Sequence, residues 1–149
     1  MASGGLPEGS GALVVEAFSG PGGGASAVLY CPARQRRLVH SVSFMFITDG
    51  NVAARWVVVG RTIAASIYQG GRAWQSQAAN TINQYLFQIS VNFAVMGAWP
   101  AGVNATQFNP LPSHFWWYDG LPICLLSANI QAGDQFTEIF VLYERWLAN

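Results

Sequence analysis

The sequence predicts an all-β fold, an antiparallel, jelly-roll-like sandwich of about eight strands preceded by a Gly-rich N-terminal arm. Three observations lead there. Tyr85, Phe87, Ile89, Val91, Phe93 and Val95 alternate with Gln88, Ser90 and Asn92, and a period of two buries one face of a strand and wets the other. Turn signals punctuate the chain at Asp49-Gly50-Asn51, Gly70-Gly71, Gly97, Pro100 to Gly102, Asp119-Gly120 and Ala132-Gly133-Asp134. No stretch of comparable length repeats with the 3.6-residue period of a helix. At 149 residues the chain fits one domain, which buries about 68–70% of the surface its unfolded form exposes.

In chain order, residues 1–11 ("MASGGLPEGSG") and 19–25 ("SGPGGGA") are rich in Gly, Ser and Pro without periodicity. They read as a flexible arm and a loop, either closing on a neighbouring subunit or forming an ordinary tail. This divides the chain into an arm-and-loop region, 1–25, and a sandwich, 26–149. Within the first region the short apolar word "ALVVEAF" predicts a strand at 12–18. The sandwich strands are predicted at 27–31, 37–48, 52–60, 62–69, 83–96, 121–128 and 136–147. In 37–48 the alternation runs through Leu38, Val42, Phe44 and Phe46. The last segment, "FTEIFVLYERWL", is apolar on both alternations, as in a strand in mid-sheet or in a subunit interface. Eight short strands in one domain of this size fit a double-sheet jelly roll better than a barrel.

The charged fraction is 9% against about 25% for an ordinary soluble domain. All seven cations are Arg, balanced by seven Asp and Glu to a net charge of zero. Arg is preferred over Lys at protein contacts, although codon bias in a GC-rich genome also favours it. The composition points to a protein whose surface is largely occupied by other protein, with self-association, most simply as a homotrimer, hiding the rest. Zero net charge leaves no basic footprint for nucleic acid despite "RQRR" at 34–37. No apolar run reaches the roughly 18 residues of a membrane helix, and the N-terminus lacks the cationic and apolar regions of a signal peptide. Synthesis in a cytoplasm is expected.

Catalytic chemistry has little to work with. Two His, two Cys and seven carboxylates offer no nucleophile motif, phosphate loop, zinc spacing or cofactor signature. His40 falls in a core strand. His114 adjoins the aromatic run and is placed to meet Cys124 or Asp119 across a turn. Glu138 and Glu144, six residues apart on one strand, are separated by roughly 20 Å, too far for a glycosidase pair. Cys31 and Cys124 sit in apolar contexts as buried thiols. No catalytic residue and no metal are expected. The richest feature is Phe115-Trp116-Trp117-Tyr118. A strand cannot turn four consecutive rings to one side, so some face the core and some face out, where Trp and Tyr serve as anchors for a partner. Phe115, Trp116, Trp117, Tyr118, Arg145 and Trp146 are the expected partner-binding residues. A carbohydrate platform of Trp116, Trp117 or Tyr118 is the competing reading.

Two stretches resemble small virion proteins of tailed bacteriophages. "PARQRRLVHSVSFMFITDGNVAARWVVV", residues 32–59, has a Pro-Ala entrance and a basic-aromatic word leading into a strand, then a Thr-Asp turn and a strand beginning Val-Ala-x-Arg. "LPICLLSANIQAGDQFTEIFVLYERWLAN", residues 121–149, is similar to the C-terminal end of such proteins, with an Ala-Gly-Asp-Gln turn and a final Glu-x-Trp word. The family usually carries Gly-Lys where this chain has Arg34-Gln35. The resemblance implies a β-sandwich structural component of the particle. The expected role is a capsid decoration or cement subunit that binds the major capsid protein at the outer capsid surface; a neck, tail or head-fibre subunit is the alternative.

Overall fold

The computed structural model describes residues 11–63, 66–90, 94–96 and 101–147. Among these residues eleven strands are formed: β1 (Ala12–Phe18), β2 (Ala27–Leu29), β3 (Gln35–Ile47), β4 (Trp56–Ile63), β5 (Ser66–Arg72), β6 (Ile82–Ile89), β7 (Ala94–Met96), β8 (Ala105–Leu111), β9 (Trp116–Tyr118), β10 (Ile123–Ala128) and β11 (Gln135–Leu147). They make two packed sheets. The first has the order β1-β11-β3-β6-β8-β7 with β9 also paired to β3, and the second has the order β2-β10-β4-β5. The principal pairings are nested. β1 pairs with β11, β2 with β10, β3 with β6 and β4 with β5, all antiparallel.

The alternation read in the sequence is what closes the sandwich. Val42, Phe44 and Phe46 of β3, Tyr85 and Phe87 of β6, and Phe136, Ile139 and Val141 of β11 turn inward onto Val57, Val59, Ile123 and Leu125 of the second sheet. Phe44 lies at its centre, with ring centroids of Tyr85, Phe136 and Phe87 at 5.5, 5.6 and 6.0 Å. β11 runs between β1 and β3, in mid-sheet. Its register shifts between Thr137 and Phe140 and again between Leu142 and Tyr143. The first shift adds a residue to β11, which keeps both Phe136 and Ile139 facing inward, and the second adds one to β3, which does the same for Val39 and Val42; Glu138 takes φ 48° in the first bulge.

Several boundaries differ from expectation for identifiable reasons. The predicted strand 52–60 begins only at Trp56, because residues 51–55 form a loop around the Arg55 guanidinium and leave Val52 98% exposed. Gly70-Gly71 is no turn but lies inside β5. A Cβ on Gly70 would stand 2.3 Å from the Val59 carbonyl oxygen, and one on Gly71 2.3 Å from that of Pro110, so close backbone approach, not turn geometry, requires glycine there. The predicted strand 83–96 is divided into β6, which ends at Ile89 before Ser90 at φ 63°, and β7 at its far end; Val91 and Phe93 of that reading, and the turn signals at Gly97 and Pro100, lie outside the described residues.

Two strands were missed. β9 is only three residues long. β8, "ATQFNPL", shows no apolar alternation because it buries polar side chains. Asn109 Oδ1 accepts the Trp74 N–H at 3.1 Å, and Gln107 Nε2 donates to the Tyr85 hydroxyl at 3.4 Å. β8 also pairs in parallel with β6 from Asn83↔Ala105 to Ile89↔Leu111, so the first sheet is mixed and not wholly antiparallel. At the other edge, β1 is paired along its whole length to β11, from Ala12↔Arg145 to Phe18↔Ile139. Residues 12–18 therefore belong to the sandwich. The following loop is held by the Gly24 N–H on the Asp134 carbonyl at 2.8 Å. The remainder of the predicted arm, residues 1–10, lies outside the described residues.

Candidate functional site

The aromatic run is sorted by its pairing with β3. β9 aligns Trp116 with Leu38, Trp117 with Arg37 and Tyr118 with Arg36, and so inherits the in-and-out alternation of that strand. Phe115 and Trp117 are fully buried, Trp116 is half-buried and Tyr118 is 41% exposed. This corrects two of the six expected contact residues, since Phe115 and Trp117 are core residues with no surface to offer a partner. Trp117 fixes its ring by donating Nε1–H to the Leu29 carbonyl at 3.2 Å, and packs edge-on to Phe18 and Tyr143 at 5.8 and 5.9 Å.

Beside Trp117 lies a buried cation. Arg37 is 4% exposed, with its guanidinium carbon 4.6 Å from the Trp117 centroid and 4.2 Å from that of Tyr143. Nη1 donates to Glu16 Oε2 at 2.7 Å, and Nε and Nη2 donate to Gln35 Oε1. The Tyr143 hydroxyl donates to the same Glu16 oxygen at 2.7 Å. Burial first, and then this bond to a carboxylate, push the Tyr143 phenol up to about 12. Burial likewise raises the nearby Cys31 thiol, against the pull of Arg37. A desolvated cation is tolerated when it is charge-paired and hydrogen-bonded, and ring faces add to that. This cluster supplies them from β1, β3, β9 and β11 together. Arg37 of the "RQRR" word is thus a core residue.

On the outer side of the same sheet, the other half of the aromatic run meets the C-terminal word. Trp116 and Trp146 pack with centroids 6.5 Å apart and planes at 63°, and Arg36 lies 5.5 Å from the Trp116 ring. His40 Nε2 and Glu144 Oε1 pair at 3.1 Å. Trp146 covers Gly11, where a Cβ would stand 2.8 Å from the indole nitrogen. Arg145 is exposed at the end of β11. Tyr118 reaches toward Arg61, 6.0 Å from its ring. Away from this cluster the outer face carries no charge on β1 and mixes apolar side chains with neutral polar ones, Ser41 and Ser43 of β3 and Gln84 and Gln88 of β6. Leu13 and Val15 of β1 are 64% and 65% exposed and Phe140 of β11 is 42% exposed, with Leu142, Met45 and Leu86 half-buried among them.

A second ionic cluster was missed because its residues read as turn and strand. Arg55 is fully buried and uses all five of its N–H donors. Nε and Nη2 hold the Asp134 carboxylate at 2.9 and 3.0 Å, Nη2 also reaches Asp49 at 2.7 Å, and Nη1 donates to the carbonyls of Asn51 and Ala53. Asp134 accepts further from the N–H groups of Asp49 and Gln131. Desolvation works to raise the Asp49 carboxyl, but hydrogen bonds from Asn51 and Gly133 and the charge of Arg55 outweigh it and hold the group below its ordinary range. The cluster pins the loop 49–55 to the turn 131–134. The only advance sign is three charged residues, Asp49, Arg55 and Asp134, in a chain nearly free of them.

The remaining candidates do not assemble into a reactive centre. His114 is exposed in a turn at φ 58°, its carbonyl accepting the Trp116 N–H. Cys124 is 4% exposed on β10. Glu138 sits in the bulge, whereas Glu144 is engaged by His40. Among the described residues no three His, Cys, Asp or Glu side chains gather as a metal site. No family model, curated protein or solved structure matches the chain. Chemically, the arrangement offers a contact surface of large rings and aliphatic side chains, with Arg36, Arg145 and the His40–Glu144 pair for orientation.

Proposed function

We propose that this chain is a structural subunit of a virus particle, a jelly-roll decoration or cement subunit that binds the outer face of a shell built by the major capsid protein. The observation that carries the reading is the outer face of the first sheet. Leu13, Val15 and Phe140 at 64%, 65% and 42% exposure continue toward Trp116 and Trp146, in a chain whose charged fraction is 9%. Extended apolar surface of this kind marks sites of protein association. The nested strand pairing supports the same reading. The orders β1-β11-β3-β6 and β2-β10-β4-β5 agree with the order expected of two four-stranded jelly-roll sheets, with β7, β8 and β9 as an insertion after the sixth strand, and viral capsids are a common setting for that fold.

The geometry weighs against a carbohydrate platform. Sugar stacking needs an open, flat ring face, but Trp116 and Trp146 stand at 63° to each other, with Arg36 over Trp116. Trp117, the middle ring of the Trp116, Trp117 and Tyr118 platform, is fully buried. The test is co-sedimentation of purified protein with shells of the source particle, run beside a glycan array. Wild-type protein is expected to pellet with shells, and the Trp116→Ala, Tyr118→Ala double variant to pellet at least tenfold less. Retention on glycans that the double variant loses, with no binding to shells, would replace the reading with the carbohydrate one.

A further inference from the structure

We infer that β1 is a self-complementary edge through which a second copy of this chain adds to the first sheet, the two β1 strands pairing antiparallel about a twofold axis at Val15. The inference stands on β1 itself and is independent of the virion reading. Among the described residues β1 is the terminal strand of its sheet, so alternate N–H and C=O groups along it face away from β11. Natural edges of this kind are blunted by Lys, Pro, bulges or charges. β1 has the sequence ALVVEAF and pairs with β11 without a register shift. Its one charge, Glu16, is turned under the sheet onto Arg37 and Tyr143. The outer side of the strand is left as Leu13, Val15 and Ala17, all exposed.

The occupant is argued from the strand's own pattern. Val15 is the middle residue of Ala12–Phe18. An antiparallel pair centred on it sets Val15 against Val15, Leu13 against Ala17 and Val14 against Glu16 of the second copy. Large side chains then meet small ones on the outer face. No carboxylate faces another across the pair, and each Glu16 keeps its own Arg37 at 2.7 Å. A register centred on Glu16 would set like charges opposite each other, which is destabilising. The pairing also carries the apolar side chains of the outer face, including Phe140 at 42% exposure, continuously from one copy to the next. Such a contact is isologous and closes at two copies, in contrast to the threefold ring expected from composition.

Cysteine scanning of the full chain tests this register. In an antiparallel pair directly opposite Cα atoms are about 4.5–5.5 Å apart, within reach of a disulfide. Val15→Cys is therefore expected to form a covalent dimer under oxidised glutathione. Leu13→Cys and Ala17→Cys each lie four residues, roughly 13 Å, from their own copy in the partner; neither should cross-link alone, but a mixture of the two should. Cys31 and Cys124 are 6% and 4% exposed, and wild-type protein under the same oxidant gives the background. Val15→Lys, at a site already exposed, should raise the dimer dissociation constant at least tenfold in sedimentation equilibrium with an unchanged thermal melt. A monomeric wild-type protein at micromolar concentration, equal cross-linking at all three positions, or a Val15→Lys dimer as tight as wild type would each overturn the inference.

Discussion

Arg37 and Arg55 show how a chain this poor in charge spends the few ionic groups it has. Both are buried, and each is surrounded by partners that a substitution would strand. Arg55→Met leaves Asp134, itself fully buried, without its counter-ion, and breaking a buried pair costs about 3–5 kcal/mol; chemical denaturation should show a loss of that size. Trp117→Ala should cost a similar ~3–5 kcal/mol as a core cavity, whereas Trp116→Ala and Tyr118→Ala should leave the melt nearly unchanged and weaken association. The contrast within one tripeptide separates the buried ring from the two outer ones. Tyr143 gives a pH signature. Its folded pKa, about 12, lies above the unfolded value near 10. The folded state therefore favours the protonated phenol, and that stabilisation is complete below about pH 10 and lost as pH rises toward 12. Stability measured across that window should fall more steeply for wild type than for Tyr143→Phe. At the acid end Asp49 has the opposite sign, because its lowered pKa contributes stability that disappears as pH falls through the folded value.

At the scale of elements, strands were legible wherever apolar side chains alternated with polar ones or ran on continuously. β1 was read at its observed bounds, 12–18, and β3, β10 and β11 to within two residues at each end. Legibility failed where burial was polar or where glycine served close approach. β8 hides Thr106, Gln107 and Asn109, so its pattern imitates a loop. Gly70 and Gly71 imitate a turn while lying flat in β5. Of the expected contact residues, Trp116, Tyr118, Arg145 and Trp146 keep some exposed surface, but the alternation that buries Phe115 and Trp117 required the register with β3. The same pairing logic bears on truncation. A chain starting at residue 25 loses β1, bares β11 and removes the Glu16 carboxylate from Arg37 and Tyr143. It should melt well below the full-length protein or fail to fold, while a chain starting at residue 11 should keep its cooperative transition by calorimetry.

For the whole molecule, two sheets with nested antiparallel pairing bury an aromatic core and leave the first sheet with an outward face that carries few charges. Such a face is costly to expose to water at roughly 25 cal/mol per Å² of apolar surface, and covering it is the simplest account of the composition. Binding restricted to the folded subunit would in turn stabilise it by mass action. The central claim, that this is a structural subunit held on a particle by that face, is tested most directly by a cryo-EM map of the source particle. The account predicts repeated two-sheet density on the outer shell, with Trp116, Tyr118 and Phe140 covered by a neighbouring chain. A map whose density is fully explained by other proteins, with this chain absent from the particle by mass spectrometry, would contradict it.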